Sequence, residues 1–388
     1  MKIAITNPTN WPYLRRGVER FINEGATFLS ERGHDVTIIT GKPGKTELVK
    51  RDGFTTIYYR RLWHPSFGRF GLLEFHAFFL PALLHLLGGH YDIVLCCTFM
   101  DGFAAKLARL VTGTPYVFVC FAIPPKVQHF RSLTLRGAIY RRTVMSADGL
   151  AGLSNYVKNY MYKRWGVDAN VLPVPIDMRQ WTHLQRTPGD RAIVLCAAAL
   201  DDPRKGARVL FRAFDRLKVR RPGLQLQLAW SIGTELKSTL LELVSPQWRC
   251  DIQFLDSDDD VRSLVARATI AVLPSLWEAQ GLILLEALAA GIPVVGTRDG
   301  ALPEIINSPH VGRLFDPGTE TIYEPTNVEG LELAMDECLE LSRLPETADH
   351  CRKCAEEWGW ERQGPRWEKF LYSIAAKRRC VAAKESGT

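Results

Sequence analysis

Long apolar runs are missing from this chain. Its most apolar stretch, residues 70–89 (FGLLEFHAFFLPALLHLLGG), is interrupted by Glu74 and Pro81, short of the roughly 20 apolar residues that a spanning helix needs. Flanked by Arg60, Arg61 and Arg69, it fits either an interfacial helix leaning on a membrane or a helix packed against its own sheet. Its continuation into residues 91–97 (YDIVLCC), a buried-strand pattern, favours packing. The opening MKIAITNPTNW lacks the apolar core of a signal peptide, because Asn7, Pro8 and Asn10 interrupt it. An even cysteine framework is also missing. Nine cysteines are scattered along the chain, which fits a reducing compartment. Cys351 and Cys354 form a lone Cys-x-x-Cys with no second pair or His cluster, so zinc is not expected. The net charge of +7 gathers at Arg60-Arg61, Arg141-Arg142, 218–221 and 377–379, without any nucleic-acid-binding signature. These clusters read as solvated surface with some attraction for phosphate. The expectation is a cytoplasmic protein with peripheral membrane contact left open and no nucleic-acid partner.

What is present is an α/β pattern. At 388 residues, with 46% hydrophobic and 23% charged residues, the chain is too long for one ordinary core and has a globular composition. Short β-branched runs alternate with helical periods, as in parallel sheets covered by helices on both faces. Residues 2–6, 36–40, 55–59, 92–97, 116–120 and 149–153 read as strands of a first sheet, with a helix over 17–32. Residues 169–175 read as an exit strand, and the polar stretch 176–191 as a linker. Strands of a second sheet fall at 193–198, 224–230, 251–255, 270–274 and 293–297, with helices over 206–219 and 258–268. The chain is helical from 327 onward. Two facing Rossmann-like domains with an interdomain cleft follow: residues 1–178, then 179–365, then a C-terminal helix over 366–388.

Residues 271–296 (AVLPSLWEAQGLILLEALAAGIPVVG) carry the most chemistry. An apolar run ends at Pro274-Ser275, a polar loop follows, and a helical pattern starts near Gly281. It stops at Gly291-Ile292-Pro293, where both signals have a steric basis. The apolar run 292–297 completes a strand-helix-strand unit. Amides at a helix N-terminus attract an anion, and Gly281 lets a ligand approach the backbone. Glu278 before the helix and Glu286 within it can accept hydrogen bonds from hydroxyls on either side of that anion. An anion flanked by two polyols describes a sugar nucleotide. The plainer reading is a sheet-covering helix with one exposed and one capping Glu.

Glu-x7-Glu between two strands, followed by Ala-Ala-Gly-Ile-Pro-Val-Val and by residues 300–304 (GALPE), resembles the retaining glycosyltransferases of family 4, group 1, which have the GT-B fold. The resemblance implies that Glu278 contacts the donor sugar and Glu286 the nucleotide ribose. It also implies a terminal helix that crosses back to the first domain. Residues 200–206 (LDDPRKG) resemble the family loop whose Arg and Lys clamp the diphosphate. Lys205 matches the Lys, and Ala199 stands where the Arg is expected; Arg204 is a candidate substitute. Phe254-Leu255 resembles the place where the backbone grips the nucleobase. Gln280 either bonds a sugar hydroxyl or faces solvent. Amides of Gly281, Leu282 and Ile283 would stabilise phosphate charge. After the first strand, Gly17-Val18-Glu19 matches part of a family Gly-Gly-Val-Glu run, with Arg16 at the first Gly. A tight strand-to-helix loop favours Gly17 as the donor-side residue, while Arg15 and Arg16 fit equally well a role in binding an anionic acceptor or donor phosphate and a place on the surface before a helix. Ser154-Asn155-Tyr156 and residues 173–177 (PVPID) resemble further cleft stretches.

A second departure is Phe121 where family members place a His; His129 further along reads better as a surface residue. The resemblance implies a front-side displacement in which the leaving phosphate helps deprotonate the acceptor, so positioning and electrostatics matter more than a protein base. Lys205 and Glu278 are then the catalytic candidates. No cofactor is implied beyond the nucleoside diphosphate sugar itself, which is a substrate. No metal is expected, since residues 258–260 (DDD) read as a helix cap. The rivals are a nucleotide-sugar-binding partner protein without turnover and a nucleotide-sugar epimerase of the same fold. The acceptor is not legible.

Overall fold

The structure, a computed structural model, describes residues 1–14, 16–51, 53–60, 71–122, 135–187, 189–229, 232–255, 261–318 and 323–385. Sequence expectations at Arg15, Arg61, Arg69, Phe70, His129, Trp230 and Asp258 to Asp260 lie outside them. By its contacts the chain divides into two compact units, Met1–Pro175 with Trp360–Thr388, and Ile176–Gly359.

The first unit holds β1 (Lys2–Thr6), β2 (Asp35–Lys42), β3 (Glu47–Lys50), β4 (Phe54–Arg60), β5 (Ile93–Cys96), β6 (Tyr116–Cys120), β7 (Gly149–Gly152) and β8 (Asn170–Val171). They lie in the order β3-β4-β2-β1-β5-β6-β7-β8. All neighbours run parallel except β3, which pairs antiparallel with β4. The central strands are buried on both faces, and so they read as continuous apolar runs. β3 (ELVK) is an exposed edge strand, and its charges hide it from a search for apolar runs. The exit strand expected over 169–175 shrinks to β8.

Residues 71–88 of the apolar stretch form the helix Gly71–Gly88, with Pro81 inside it. Phe79 stacks on Phe103 of the neighbouring helix Phe99–Thr112, ring centroids 5.5 Å apart. Leu80 and Leu84 nevertheless point outward, 56% and 60% exposed. No described helix is long and apolar enough to cross a membrane. The last helix, Trp360–Glu385, belongs to the first unit. Trp360 Nε1 donates to Glu24 Oε2 at 2.8 Å, and Trp367 Nε1 donates to the Pro173 carbonyl at 2.8 Å.

The second unit holds β9 (Ile193–Cys196), β10 (Gln225–Ala229), β11 (Ile252–Leu255), β12 (Ile270–Leu273), β13 (Val294–Thr297) and β14 (Gly312–Phe315), all parallel. Their order is β11-β10-β9-β12-β13-β14, the doubly wound order of dinucleotide-binding sheets. The basic cluster at 218–221 is less of an open surface than its sequence implied. Lys218 is wholly buried and donates to Asp251 Oδ2 at 2.7 Å and to the Leu224 carbonyl at 3.0 Å. Arg220 and Arg221 pair with Glu332, Asp336 and Glu340.

Asp101, buried at the start of the Phe99–Thr112 helix, ties the ends of β1 and β5 together. Its Oδ2 accepts from Thr6 Oγ1 at 2.8 Å and from the Cys97 N–H at 3.0 Å, and its Oδ1 from Thr98. Burial outweighs those bonds and pushes its carboxyl up to about 6. A carboxyl raised on folding keeps its stabilising proton below its unfolded value and loses that contribution as pH rises through the folded one. Asp101→Asn should therefore flatten the fall in melting temperature between about pH 4 and about pH 6 relative to the parent chain. An unchanged slope contradicts the assignment.

Candidate functional site

In the second unit's sheet the connections reverse direction between β9 and β12. Ligands of open α/β sheets lie outside the carboxyl ends of the strands at such a switch point. The loops that leave β9 and β12 there make contact. After β9 the chain turns through the short 3-10 segment Pro203–Lys205, capped by Asp202, whose side chain accepts from the Arg204 N–H. Gly206 ends it with φ 71°, and a Cβ there would sit 2.3 Å from the Pro274 carbonyl oxygen at the end of β12. Only glycine allows that approach. The Arg204 carbonyl accepts the Leu276 N–H at 2.8 Å, a second tie between the loops.

Across this seam Lys205 Nζ donates to Glu278 Oε1 at 2.5 Å. Both side chains are mostly shielded, 20% and 15% exposed, so the pair stands at the surface without being freely solvated. Three residues after Glu278, Gly281 (φ 104°) caps the helix Leu282–Ala289. Leu284 donates to the Gly281 carbonyl at 3.1 Å, and the amides before it begin the helix, where no intrahelical partner exists. Leu282 and Ile283 are half-buried, and every residue from Leu284 to Ala289 is buried, including Glu286 at 7% exposure. Gln280 is buried at 3% exposure and does not face open solvent. A cation, a carboxylate and a helix N-terminus thus meet at the switch point, a combination that suits a phosphorylated polyol.

The other sequence candidates make different contacts. Arg204 turns away from the seam: its guanidinium grips Asp202, with Nη2 to Oδ2 at 2.5 Å and Nε to Oδ2 at 3.0 Å. Ala199 contributes only its carbonyl, which accepts the Asp202 N–H at 3.0 Å. Phe254 and Leu255 end β11, at the sheet edge two strands from β9. Lys237 Nζ lies 4.6 Å from the centre of the Phe254 ring. Gly17 belongs to the first unit and opens the helix Gly17–Glu31. It is not among the glycines with left-handed φ, so the turn argument made from sequence belongs instead to Gly206 and Gly281. Phe121 packs edge-on against Phe21 at 5.5 Å, an apolar contact where the resemblance called for a His. Among the described residues no three His, Cys, Asp or Glu side chains gather as a metal site.

The first unit also has a polar feature that the sequence reading passed over, at its own switch point between β1 and β5. Glu19, 3% exposed, accepts from Thr9 Oγ1 at 2.5 Å, and Asn23 Nδ2 donates to Asn10 Oδ1 at 2.6 Å. The signal was available: three polar residues, Asn7, Thr9 and Asn10, follow the first strand directly, and Glu19 stands in the first turn of the helix after it.

Residues 15–180 match the family described as Glycosyltransferase Family 4, and residues 191–339 match the one described as Glycosyl transferases group 1. The chain therefore has the GT-B fold and belongs to the family 4, group 1 glycosyltransferases. It is 31% identical over 215 residues to the MMP alpha-(1->4)-mannosyltransferase of Mycolicibacterium hassiacum, in an alignment that takes in 53% of this chain and 50% of that protein. The chain thus spans half the length of this relative. Among solved structures, sucrose-phosphate synthase from Thermosynechococcus elongatus superposes with a TM-score of 0.78 at 17% identity, covering 99% of this chain and 100% of the other. Anabaena HepE in complex with UDP and glucose gives 0.69 at 16% identity, covering 100% of both. At such identities the structures show the fold.

The Gly206 seam is directly testable. Gly206→Ala must both adopt a left-handed φ and displace the Pro274 carbonyl, and should lower the unfolding free energy of the chain by about 1–3 kcal/mol. Gly233→Ala, where a Cβ meets nothing within 4 Å, is the control. Equal denaturant midpoints for the two variants would remove the seam from the account.

Proposed function

We propose that this chain transfers a glycosyl unit from a nucleoside diphosphate sugar to an acceptor, with retention at the anomeric carbon and without a metal ion. The observation that carries this reading is the Lys205–Glu278 pair, set beside a helix N-terminus at the switch point of a GT-B glycosyltransferase. Each group of the pair satisfies the other. An arriving diphosphate offers Lys205 a more highly charged partner, and the ammonium then moves from the carboxylate to the phosphate. Glu278 is released at the same moment to accept hydrogen bonds from the sugar hydroxyls. Amides of Gly281, Leu282 and Ile283 face the phosphate charge, and Glu286 in the second helical turn takes the ribose. That HepE was solved with UDP and glucose supports a donor of this chemical kind.

The reaction breaks the bond between the anomeric carbon and the β-phosphate oxygen and forms one from that carbon to an acceptor oxygen on the same face. The acceptor's proton passes to the departing phosphate. Charge grows on the leaving diphosphate as the bond breaks, so donors aimed there lower the barrier; one such donor is commonly worth ~3 kcal/mol. With only a methyl group at Ala199 and Arg204 bound to Asp202, Lys205 carries the cationic share. These two residues and Phe121 also favour a second reading, a nucleotide-sugar-binding protein without turnover. Release of nucleoside diphosphate from UDP-, GDP- or ADP-sugars separates the two.

Glu286→Ala should weaken binding of the cognate nucleoside diphosphate by about 10-fold or more in calorimetry, the loss of one charge-assisted hydrogen bond. An unchanged affinity removes the ribose role. Activity should survive EDTA at full rate; loss with EDTA that a divalent ion restores would refute metal independence.

A further inference from the structure

Glu278 stands in a loop whose path is not relaxed. Trp277, the residue before it, has φ 59° and is the only non-glycine residue in the left-handed region among those described. A residue with a Cβ is strained there by about 1–2 kcal/mol and stays only when its surroundings hold it. The segment after β13 supplies that hold. Asp299 Oδ2 accepts the Trp277 N–H at 2.6 Å. Ala301 N–H donates to the Glu278 carbonyl at 2.9 Å. Between them Gly300, φ 64°, lies so close that a Cβ would meet the Glu278 nitrogen at 2.7 Å and its carbonyl oxygen at 2.8 Å. One residue pair earlier, Thr297 Oγ1 donates to the Ser275 carbonyl at 2.5 Å. The loop is thus gripped by Thr297, Asp299, Gly300 and Ala301 on one side and by the Arg204 carbonyl on the other.

We propose that Asp299 and Gly300 are positioning residues: they pin Trp277 in its left-handed conformation and so hold the Glu278 carboxylate beside Lys205. This rests on the reading of Glu278 as the group that accepts the donor-sugar hydroxyls. The Trp277 N–H needs a side-chain acceptor oxygen at position 299, which Asp299 Oδ2 supplies. Relaxing Trp277 to an ordinary φ rotates the chain immediately before Glu278 and carries the carboxylate off its line. The diphosphate and ribose contacts lie on Lys205, the helix amides and Glu286, and do not pass through Trp277. The clasp therefore governs turnover of the bound sugar more than affinity for the nucleotide.

The test measures kcat and KM for nucleoside diphosphate release from UDP-glucose, GDP-mannose and ADP-glucose, and the Kd of UDP, GDP and ADP by calorimetry. Asp299→Ala and Gly300→Ala should each lose kcat by about 10- to 100-fold, the scale of a misplaced reacting group, while the nucleotide Kd stays within about 3-fold. Asp299→Asn keeps an acceptor oxygen and should stay within about 3-fold of the parent kcat. Trp277→Asn placed on Asp299→Ala should recover much of the loss, because Asn takes a left-handed φ at lower cost. A parent kcat in Asp299→Ala, an equal fall in Asp299→Asn, or no recovery in the double variant overturns the proposal. If the parent chain releases nucleotide from none of the donors, the transfer reading fails on its own. The clasp is then judged by amide hydrogen exchange at Trp277, slow in the parent and in Asp299→Asn and at least about 10-fold faster in Asp299→Ala; equal rates overturn it.

Discussion

The candidate site of the second unit depends on one close approach, the seating of Gly206 against the carbonyl oxygen of Pro274. Two loops that leave neighbouring strands of the sheet have to come within contact distance before Lys205 can reach Glu278, and a single Cβ at position 206 would keep them apart. Sheet order makes the approach possible, because β9 and β12 are adjacent although 73 residues of chain separate Lys205 from Glu278. Local backbone chemistry then finishes it. Left-handed glycines at 206 and 281 turn the chain sharply on both sides of the seam, and Asp202 caps the segment that carries the lysine.

The two units use the same architectural idea with different materials. In the second, the switch point is lined by opposite charges and a helix start. In the first, the corresponding strand ends are filled by a buried polar network, Thr6 with Asp101 and Thr9 with Glu19, that fixes the loop after β1. That network is desolvated enough for Asp101 to hold its proton toward neutral pH. Aromatic packing secures the rest of the first unit: Trp360 stacks on Phe28 at 5.1 Å and Trp367 lies 5.0 Å from Phe21, which joins the last helix to the first.

Much of the fold was legible because parallel strands buried on both faces leave apolar runs that nothing else explains. The five strands expected in the second unit appear with ends shifted by at most two residues. β3 and β14 were missed because exposed or charged edge strands (ELVK, GRLF) carry no such run. Within the candidate site, the sequence singled out Lys205 and Glu278, which the structure pairs, and Gly281, which caps the next helix, because each sits at a loop that punctuates the sequence. Arg204 was proposed from sequence for the diphosphate, and the structure pairs its guanidinium with Asp202 two residues away, a local partner that the family comparison did not weigh. Asp299 and Trp277 left no mark in the sequence at all, because a strained φ and its remedy are separated by 22 residues. Gly300 did stand out, but for its motif and not for its contact with Glu278.

The most direct measurement is a crystal structure of the chain with its cognate nucleoside diphosphate. Phosphate oxygens should lie within hydrogen-bond distance of Lys205 Nζ and of the amides of Leu282 and Ile283, with Lys205 drawn off Glu278. A nucleotide bound at another place, with the Lys205–Glu278 pair undisturbed, would contradict it.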